Sequence, residues 1–180
     1  MGRWQPDSQG RLQEAALALY SERGFDQTTA AQIAARAGLT ERTFFRHFAD
    51  KREVLFGGSA LLKERIVAGV AGAPAGDGPL AAVARGLDAA AAMMGEFRRD
   101  LSRQRQAVIV ANPELREREL AKLADYAVAV ADALRQRAAE AGMTVLRLAV
   151  QRWAGGDDDQ DLSTIMRDSV ADLRAVATNG

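Results

Sequence analysis

Four basic side chains, Arg42, Arg46, His47 and Lys51, fall within the stretch AGLTERTFFRHFADK at residues 37–51, interleaved with Phe44, Phe45 and Phe48. A guanidinium can grip phosphate or pair bidentately with guanine O6 and N7, and an ammonium attracts phosphate as a point charge. Thr28, Thr29, Thr40 and Thr43 add hydroxyls close by. Bond-making chemistry is not expected here. His47 is the only histidine and cysteine is absent. The nearby acids Glu41 and Asp50 supply no nucleophile for a histidine base to activate. No catalytic residue is therefore assigned, and the chemistry that fits is recognition of an anion.

By residue type Phe44, Phe45 and Phe48 are all expected in a core, and on a helix Phe44 and Phe48 lie four residues apart and share a face that can be buried. Arg42 and Arg46, and Thr43 and His47, are also four apart and take the opposite face. Two arginines at that spacing repel by a few tenths of a kcal/mol, so a face that meets phosphates has a reason to keep both. The preceding AGLT is a tight glycine-containing turn between two short helical patterns, the sequence form of a helix-turn-helix. Gly38 shapes the turn, Leu39 plugs the core and Thr40 caps the next helix. Thr28 and Thr29, with the free N–H groups of the helix they precede, form a phosphate clamp. Lys51, at the start of another helix, suits an anion held there. Spacing alone leaves two readings open: a groove-entering helix, or a helical core with a solvated basic edge.

Apolar spacing predicts helices throughout. Leu12, Ala15, Ala16, Leu19 and Tyr20 make one stripe on a helix over 8–23, stopped by Gly24. Further helices are expected over 30–37, 41–48, 51–70, 80–97, 99–111, 113–141, 144–154 and 162–177. Gly57 and Gly58 weaken the fourth, through a kink or close packing. Gly142 is expected to break the long one. The Gly/Pro stretch AGAPAGDGP at 71–79 divides the chain. The expected organisation is all-α, with a helix-turn-helix domain over 1–56 (motif about 29–48) and a second helical domain over 57–180. The 180 residues carry 24 basic and 24 acidic side chains, so any nucleic-acid case rests on geometry and not on bulk charge. No apolar run nears 18 residues and no signal-peptide core is present, so a cytoplasmic protein without a membrane partner is expected. DDDQD at 157–161 could hold a hard cation. Its spacing fits no calcium loop, so no metal and no cofactor are expected.

From about Arg11 to Phe56 the sequence resembles the tetracycline-repressor-like (TetR/AcrR) family of transcriptional regulators. The likeness rests on Gly24-Phe25, Thr28-Thr29, Ile33-Ala34, Ala37-Gly38, the TFFRHF run from Thr43, Asp50-Lys51 and Leu55. It implies an all-helical homodimer joined through its last two helices. It further implies that the N-terminal domain binds a double-stranded operator and that the C-terminal domain binds a small-molecule effector. Arg42 is then expected to read a base and Thr43 to touch a base or methyl. Arg46, His47, Lys51, Thr28 and Thr29 would hold phosphates. Arg3 and Trp4 could reach a minor groove, although a free tail is the simpler expectation.

Two departures stand out. The family often has tyrosine where this chain has Phe45, which cannot donate to a phosphate but can touch a sugar or a thymine methyl. The segment after Gly142 is also short for a dimer helix, eleven residues spanning about 16 Å. Met93, Met94, Phe97, Ile109, Tyr126 and Trp153 are the candidates to line a cavity for a hydrophobic effector, though core packing explains each singly. The expected function is a ligand-released repressor. The alternative is a helix-turn-helix DNA binder without a small-molecule switch.

Overall fold

The computed structural model describes residues 8–95, 99–156 and 160–178. Among them lie eight α-helices and no strand: α1 Ser8–Arg23, α2 Ala30–Arg36, α3 Glu41–His47, α4 Ser59–Ala71, α5 Pro79–Gly95, α6 Arg99–Ala111, α7 Pro113–Gly155 and α8 Leu162–Thr178. A 3-10 turn, Glu53–Phe56, precedes α4. No helix of the described residues is long and apolar enough to cross a membrane.

Two expected boundaries are corrected. The helix expected over 51–70 is interrupted: α4 begins only at Ser59, because Gly58 adopts φ +91°, a conformation that ends regular helix. Its neighbour Gly57 is closely packed, and a β-carbon there would collide with the Gln13 side chain and the Phe48 ring. The break expected at Gly142 does not occur. α7 runs 43 residues without interruption, about 65 Å at 1.5 Å per residue. One glycine costs only about 1 kcal/mol relative to alanine. The flanking RQRAAEA and MTVLRLA contain good helix formers and no proline, so they carry the helix through. The N-terminus of α7 forms as expected. Pro113 occupies the first helical position, and the Asn112 carbonyl accepts from the Leu115 and Arg116 N–H groups, both at 3.1 Å.

The chain divides into two compact units. The first joins residues up to Leu62 with Met93–Asp125, so it draws in α6 and the start of α7 beyond the linear division at residue 56. Its core gathers the α1 stripe (Leu12, Ala15, Ala16, Leu19 and Tyr20) with Ile33 and Ala34 of α2 and Phe44 of α3. Val54, Leu55 and Phe56 from the 3-10 turn, together with Val108, Ile109 and Leu115, complete it. The 3-10 turn is fixed by Asp50, whose carboxylate accepts from the N–H groups of Arg52 (2.7 Å) and Glu53 (3.1 Å).

The second unit joins Lys63–Ala92 with Tyr126–Gly180. Within it α4 and α5 cross at a pair of glycines. A β-carbon on Gly69 would come within 2.7 Å of the Gly86 Cα, and one on Gly86 within 2.7 Å of the Ile66 carbonyl oxygen. Arg137 of α7 donates to the carbonyls that end α4 and begin the following loop: Ala71 at 3.2 Å, Pro74 at 2.9 Å, and Ala73. These are orphan carbonyls of a helix terminus, and the guanidinium satisfies several at once.

Two glycine substitutions should act in opposite directions. Gly86→Ala forces backbone apart and should destabilise the chain by about 1–3 kcal/mol. Gly142→Ala meets nothing within 4 Å and should stabilise it by about 0.5–1 kcal/mol, because alanine restricts the unfolded chain. Urea titration of the two variants checks both signs.

Candidate nucleic-acid interface

The turn between α2 and α3 is built from local bonds. Thr29 caps α2: its hydroxyl accepts from the Gln32 N–H at 3.2 Å, and the Gln32 side chain accepts from the Thr29 N–H at 2.9 Å. This reciprocal pair satisfies two orphan donors of a seven-residue helix. At the far end Gly38 takes φ +65°. The Gly38 and Leu39 N–H groups close the turn on the carbonyls of Ala35 (3.0 Å) and Ala34 (2.8 Å). Arg11 of α1 donates to the Ala37 carbonyl, and a β-carbon on Gly38 would press on its guanidinium. Thr40 then caps α3, accepting from the Thr43 N–H at 3.1 Å, with the two threonine hydroxyls 2.9 Å apart.

α3 is seated by two rings. Phe44 is fully buried and Phe48 nearly so, with centroids 5.6 Å apart. The other side of the helix is open. Arg42 and Arg46 are exposed, and neither forms an ion pair among the described residues. Phe45 is 53 % exposed beside Arg42, on the side of the helical wheel away from Arg46. Thr43 is half-buried at the edge of this face. Arg42, Arg46 and Thr43 form one ridge, as the spacing predicts, and Phe45, a residue type expected in the core, stands exposed alongside them.

The other expected contacts are placed differently. His47 is half-buried and turned toward α1, its Nε2 lying 2.7 Å from the Ser8 hydroxyl and 3.5 Å from Arg46 Nη2. It does not join the outward face. Thr28 is buried, and its hydroxyl donates to the Gly24 carbonyl at 2.8 Å, so it holds the α1–α2 loop. Thr29 remains exposed beside it. Lys51 does not open a helix. Its ammonium lies 4.3 Å from the Phe25 ring centre and donates to the Phe25 (2.9 Å) and Asp26 (3.3 Å) carbonyls. The buried Tyr20 hydroxyl donates to the Lys51 carbonyl. Burial, and after it the Asp50 charge, pushes that hydroxyl's pKa well above its ordinary value, so it is always a donor. Ser8, Arg11 and Tyr20 are thus positioning residues that motif spacing alone does not reveal. Arg11 leaves one trace in the sequence, a cation directly beside the apolar stripe.

One ion cluster ties the 3-10 turn to α7 within the first unit. Glu53 accepts from Arg118 and from Lys122, the latter at 3.1 Å. Arg105 of α6 donates to the Leu55 carbonyl at 2.6 Å and lies 5.2 Å from the Phe56 ring centre. Partial burial raises the Glu53 pKa, but the hydrogen bonds and charges of Arg118 and Lys122 outweigh it and hold the carboxyl below its usual range.

The six effector candidates divide between the two units. Met93, Met94 and Ile109 belong to the first unit, Tyr126 and Trp153 to the second, and Phe97 lies outside the described residues. Ile109 fills the core around α1. Trp153 is 53 % exposed and borders a concavity of about 230 Å³ with Arg152, Gly156, Gln160, Ile165 and Asp168. Along α8, Met166, Val170 and Ala171 with Arg167 and Arg174 line a groove of about 560 Å³. Among the described residues no group of three or more histidines and carboxylates could hold a metal ion. Asp157, Asp158 and Asp159 of the acidic loop, and the arm residues Arg3 and Trp4, lie outside the described residues.

Residues 12–56 match the family described as bacterial regulatory proteins, tetR family. The HTH-type transcriptional regulator TcmR of Streptomyces glaucescens is 36 % identical over 124 residues, which are 64 % of this chain and 50 % of that protein. The chain thus spans about half the length of that relative. Similar solved structures include a TetR family transcription regulator from Marinobacter aquaeolei (18 % identity, 94 % of each chain, TM-score 0.40). Another is Thermus thermophilus FadR, a transcriptional repressor in complex with lauroyl-CoA (22 % identity, 92 % of each chain, TM-score 0.39).

The Glu53 cluster yields a pH prediction. A carboxylate held below its unfolded pKa of about 4.3 contributes stability that is present above that value and lost as pH falls through the folded one. Glu53→Gln should therefore cost about 1 kcal/mol at neutral pH. Its urea midpoint should converge with the parent's as pH drops below about 4.

Proposed function

We propose, from the match of residues 12–56 to the tetR family of bacterial regulatory proteins, that the chain is a cytoplasmic, homodimeric transcriptional repressor that leaves its DNA operator when a small hydrophobic effector binds. In this reading residues 1–56 bind DNA and residues 57–180 carry the dimer surface and the effector. The observation that carries it is the pair Arg42 and Arg46, exposed on a helix whose opposite side is buried through Phe44 and Phe48. α3 enters the major groove with this ridge. Arg42 reads a guanine, and Thr43 reaches a base or methyl. Arg46, Thr29 and the N-terminal N–H groups of α2 hold phosphates. Lys51, His47 and Thr28 serve the same surface, through the α1–α2 loop and the C-terminal end of α3 that they fix, and Gly38 and Thr40 set the angle between the two helices.

The dimer is supported by exposed apolar side chains on α7. Met143, Leu146, Val150 and Trp153 recur at i, i+3, i+7 and i+10, and all are at least 40 % exposed. A stripe of that kind on the last long helix calls for a covering surface, and a second copy supplies an identical one. Two recognition helices about 34–36 Å apart would then meet successive major grooves. The effector is supported by the two concavities of the second unit, which are lined by Trp153, Ile165, Met166 and Val170 beside cationic arginines. The alternative, a DNA binder without a ligand switch, is favoured by Ile109, which fills core where a cavity wall was expected.

Arg42→Ala should cost about 1–3 kcal/mol on a selected operator and relax the preference at one base pair. Arg46→Ala should weaken all duplexes alike and lower the salt slope by about one unit. Affinity and base preference both unchanged in Arg42→Ala would overturn the base-reading role. A further pair of measurements tests the assembly. Leu146→Asp with Val150→Asp should turn a sedimenting dimer into monomer while leaving helicity intact. Release of operator by no member of a hydrophobic metabolite panel would favour the switchless alternative.

A further inference from the structure

Phe45 is the exposed side chain on α3 with the least obvious reason to be there. It is 53 % exposed, and a phenyl ring in water has no polar group to repay the exposure. Its contact with the protein is an edge-on one to Phe44, at 5.3 Å between centroids and 84° between planes. Phe44 is fully buried, so the Phe45 ring leans on a fixed surface and points in a defined direction. On the helix it follows Arg42 by three residues and directly precedes Arg46, both exposed. An oriented apolar ring therefore projects from the cationic ridge that the proposed function places in the major groove.

The chemistry of that groove limits what such a ring can recognise. Phenylalanine neither donates nor accepts, so it offers nothing specific to phosphate oxygens or to the keto and amino edges of bases. The apolar group that a base pair presents on the major-groove side is the C5-methyl of thymine. We infer that Phe45 is a specificity-determining residue that packs on a thymine C5-methyl in each half-site, beside the base under Arg42. β-Carbons three residues apart on a helix lie about 5–6 Å apart, against a rise of about 3.4 Å per base pair. The thymine therefore stands one or two base steps from the Arg42-dependent pair. This inference rests on α3 being the groove-entering helix and adds a requirement of its own, an apolar contact that discriminates among A·T pairs by the strand carrying the methyl.

The test uses the full chain and a site selected from random duplex DNA. Each thymine of the site is replaced singly by deoxyuridine, which removes only the methyl group. Binding of the parent should fall roughly fourfold at one thymine per half-site, the loss that burying one methyl implies. That thymine should lie within two base pairs of the position whose preference Arg42→Ala relaxes. Phe45→Ala should bind the thymine site more weakly and show no loss on uridine replacement. Phe45→Tyr, which keeps the ring, should retain the sensitivity and controls for folding. If Phe45→Ala instead weakens every duplex equally and the parent tolerates uridine at every position, the ring meets the sugar–phosphate backbone and the inference is overturned. If the intact chain binds no duplex at all, the proposed function fails with it. Binding without a uridine-sensitive step removes this inference alone.

Discussion

The burial of Phe44 is the contact on which the candidate interface depends. The ring is fully enclosed by the first unit's core, where it meets the apolar side of α1 and α2. Enclosing a side chain of this size contributes roughly 1.5–3 kcal/mol, a large amount for a helix of seven residues. A helix that short is not stable alone. Its existence and its orientation therefore come from the same source, and the side that faces outward is whatever Phe44 and Phe48 leave uncovered. Arg42, Phe45 and Arg46 are outward because 44 and 48 are inward. The Thr40 cap adds a donor match at the N-terminus but could not hold α3 in one rotational setting without the two rings.

Polar groups near this ridge divide into those that bind outward and those that fix the frame. Thr28, His47 and Lys51 all had the chemistry of phosphate ligands, yet each is engaged within the protein: with the Gly24 carbonyl, the Ser8 hydroxyl, and the Phe25 and Asp26 carbonyls. A buried hydroxyl or a helix-end carbonyl left unpaired costs about 1–3 kcal/mol, so these bonds have a structural return that needs no ligand. The consequence for binding is preorganisation. A loop and a helix end already held by protein contacts lose less freedom when a partner arrives than free side chains do. Arg42 and Arg46 are the opposite case, exposed side chains with no carboxylate partner among the described residues, so an incoming anion would order them.

Periodicity and turn chemistry made most of the fold legible. The bounds of α1 and α6 follow from apolar spacing with Gly24 and Asn112-Pro113 as stops, and the Thr29 and Thr40 caps follow from residue type alone. Arg42 and Arg46 stand where a 3.6-residue repeat puts them, whereas Phe45, apolar and expected in the core, is exposed. The misses have a common cause. Gly142 and the Gly57-Gly58 pair are the same residue type with different outcomes, since a glycine breaks a helix only where tertiary packing favours φ above zero, as at Gly58. Arg11, Tyr20 and Ser8 were invisible because their partners are carbonyls and an imidazole 26 to 39 residues away. The environments of the effector candidates were hidden for a related reason. Apolar composition identifies residues that will be buried or paired, but not whether the space beside them is core, as for Ile109, or open, as for Trp153.

The continuity of α7 changes how the exposed apolar stripe is understood. Had the helix broken at Gly142, Met143, Leu146, Val150 and Trp153 would stand on a segment of eleven residues, too short to hold a stripe straight without support from its neighbours. As part of a 43-residue helix they lie on a rod whose backbone hydrogen bonds are already satisfied on both sides of the glycine. Their exposure is then not a fraying end but a fixed apolar line on a rigid element. Gly142, at the N-terminal edge of that line, is exposed with open space around it. Nothing crowds this position, in contrast to Gly69 and Gly86 where α4 and α5 meet, so the helix simply tolerates the glycine at a cost of about 1 kcal/mol.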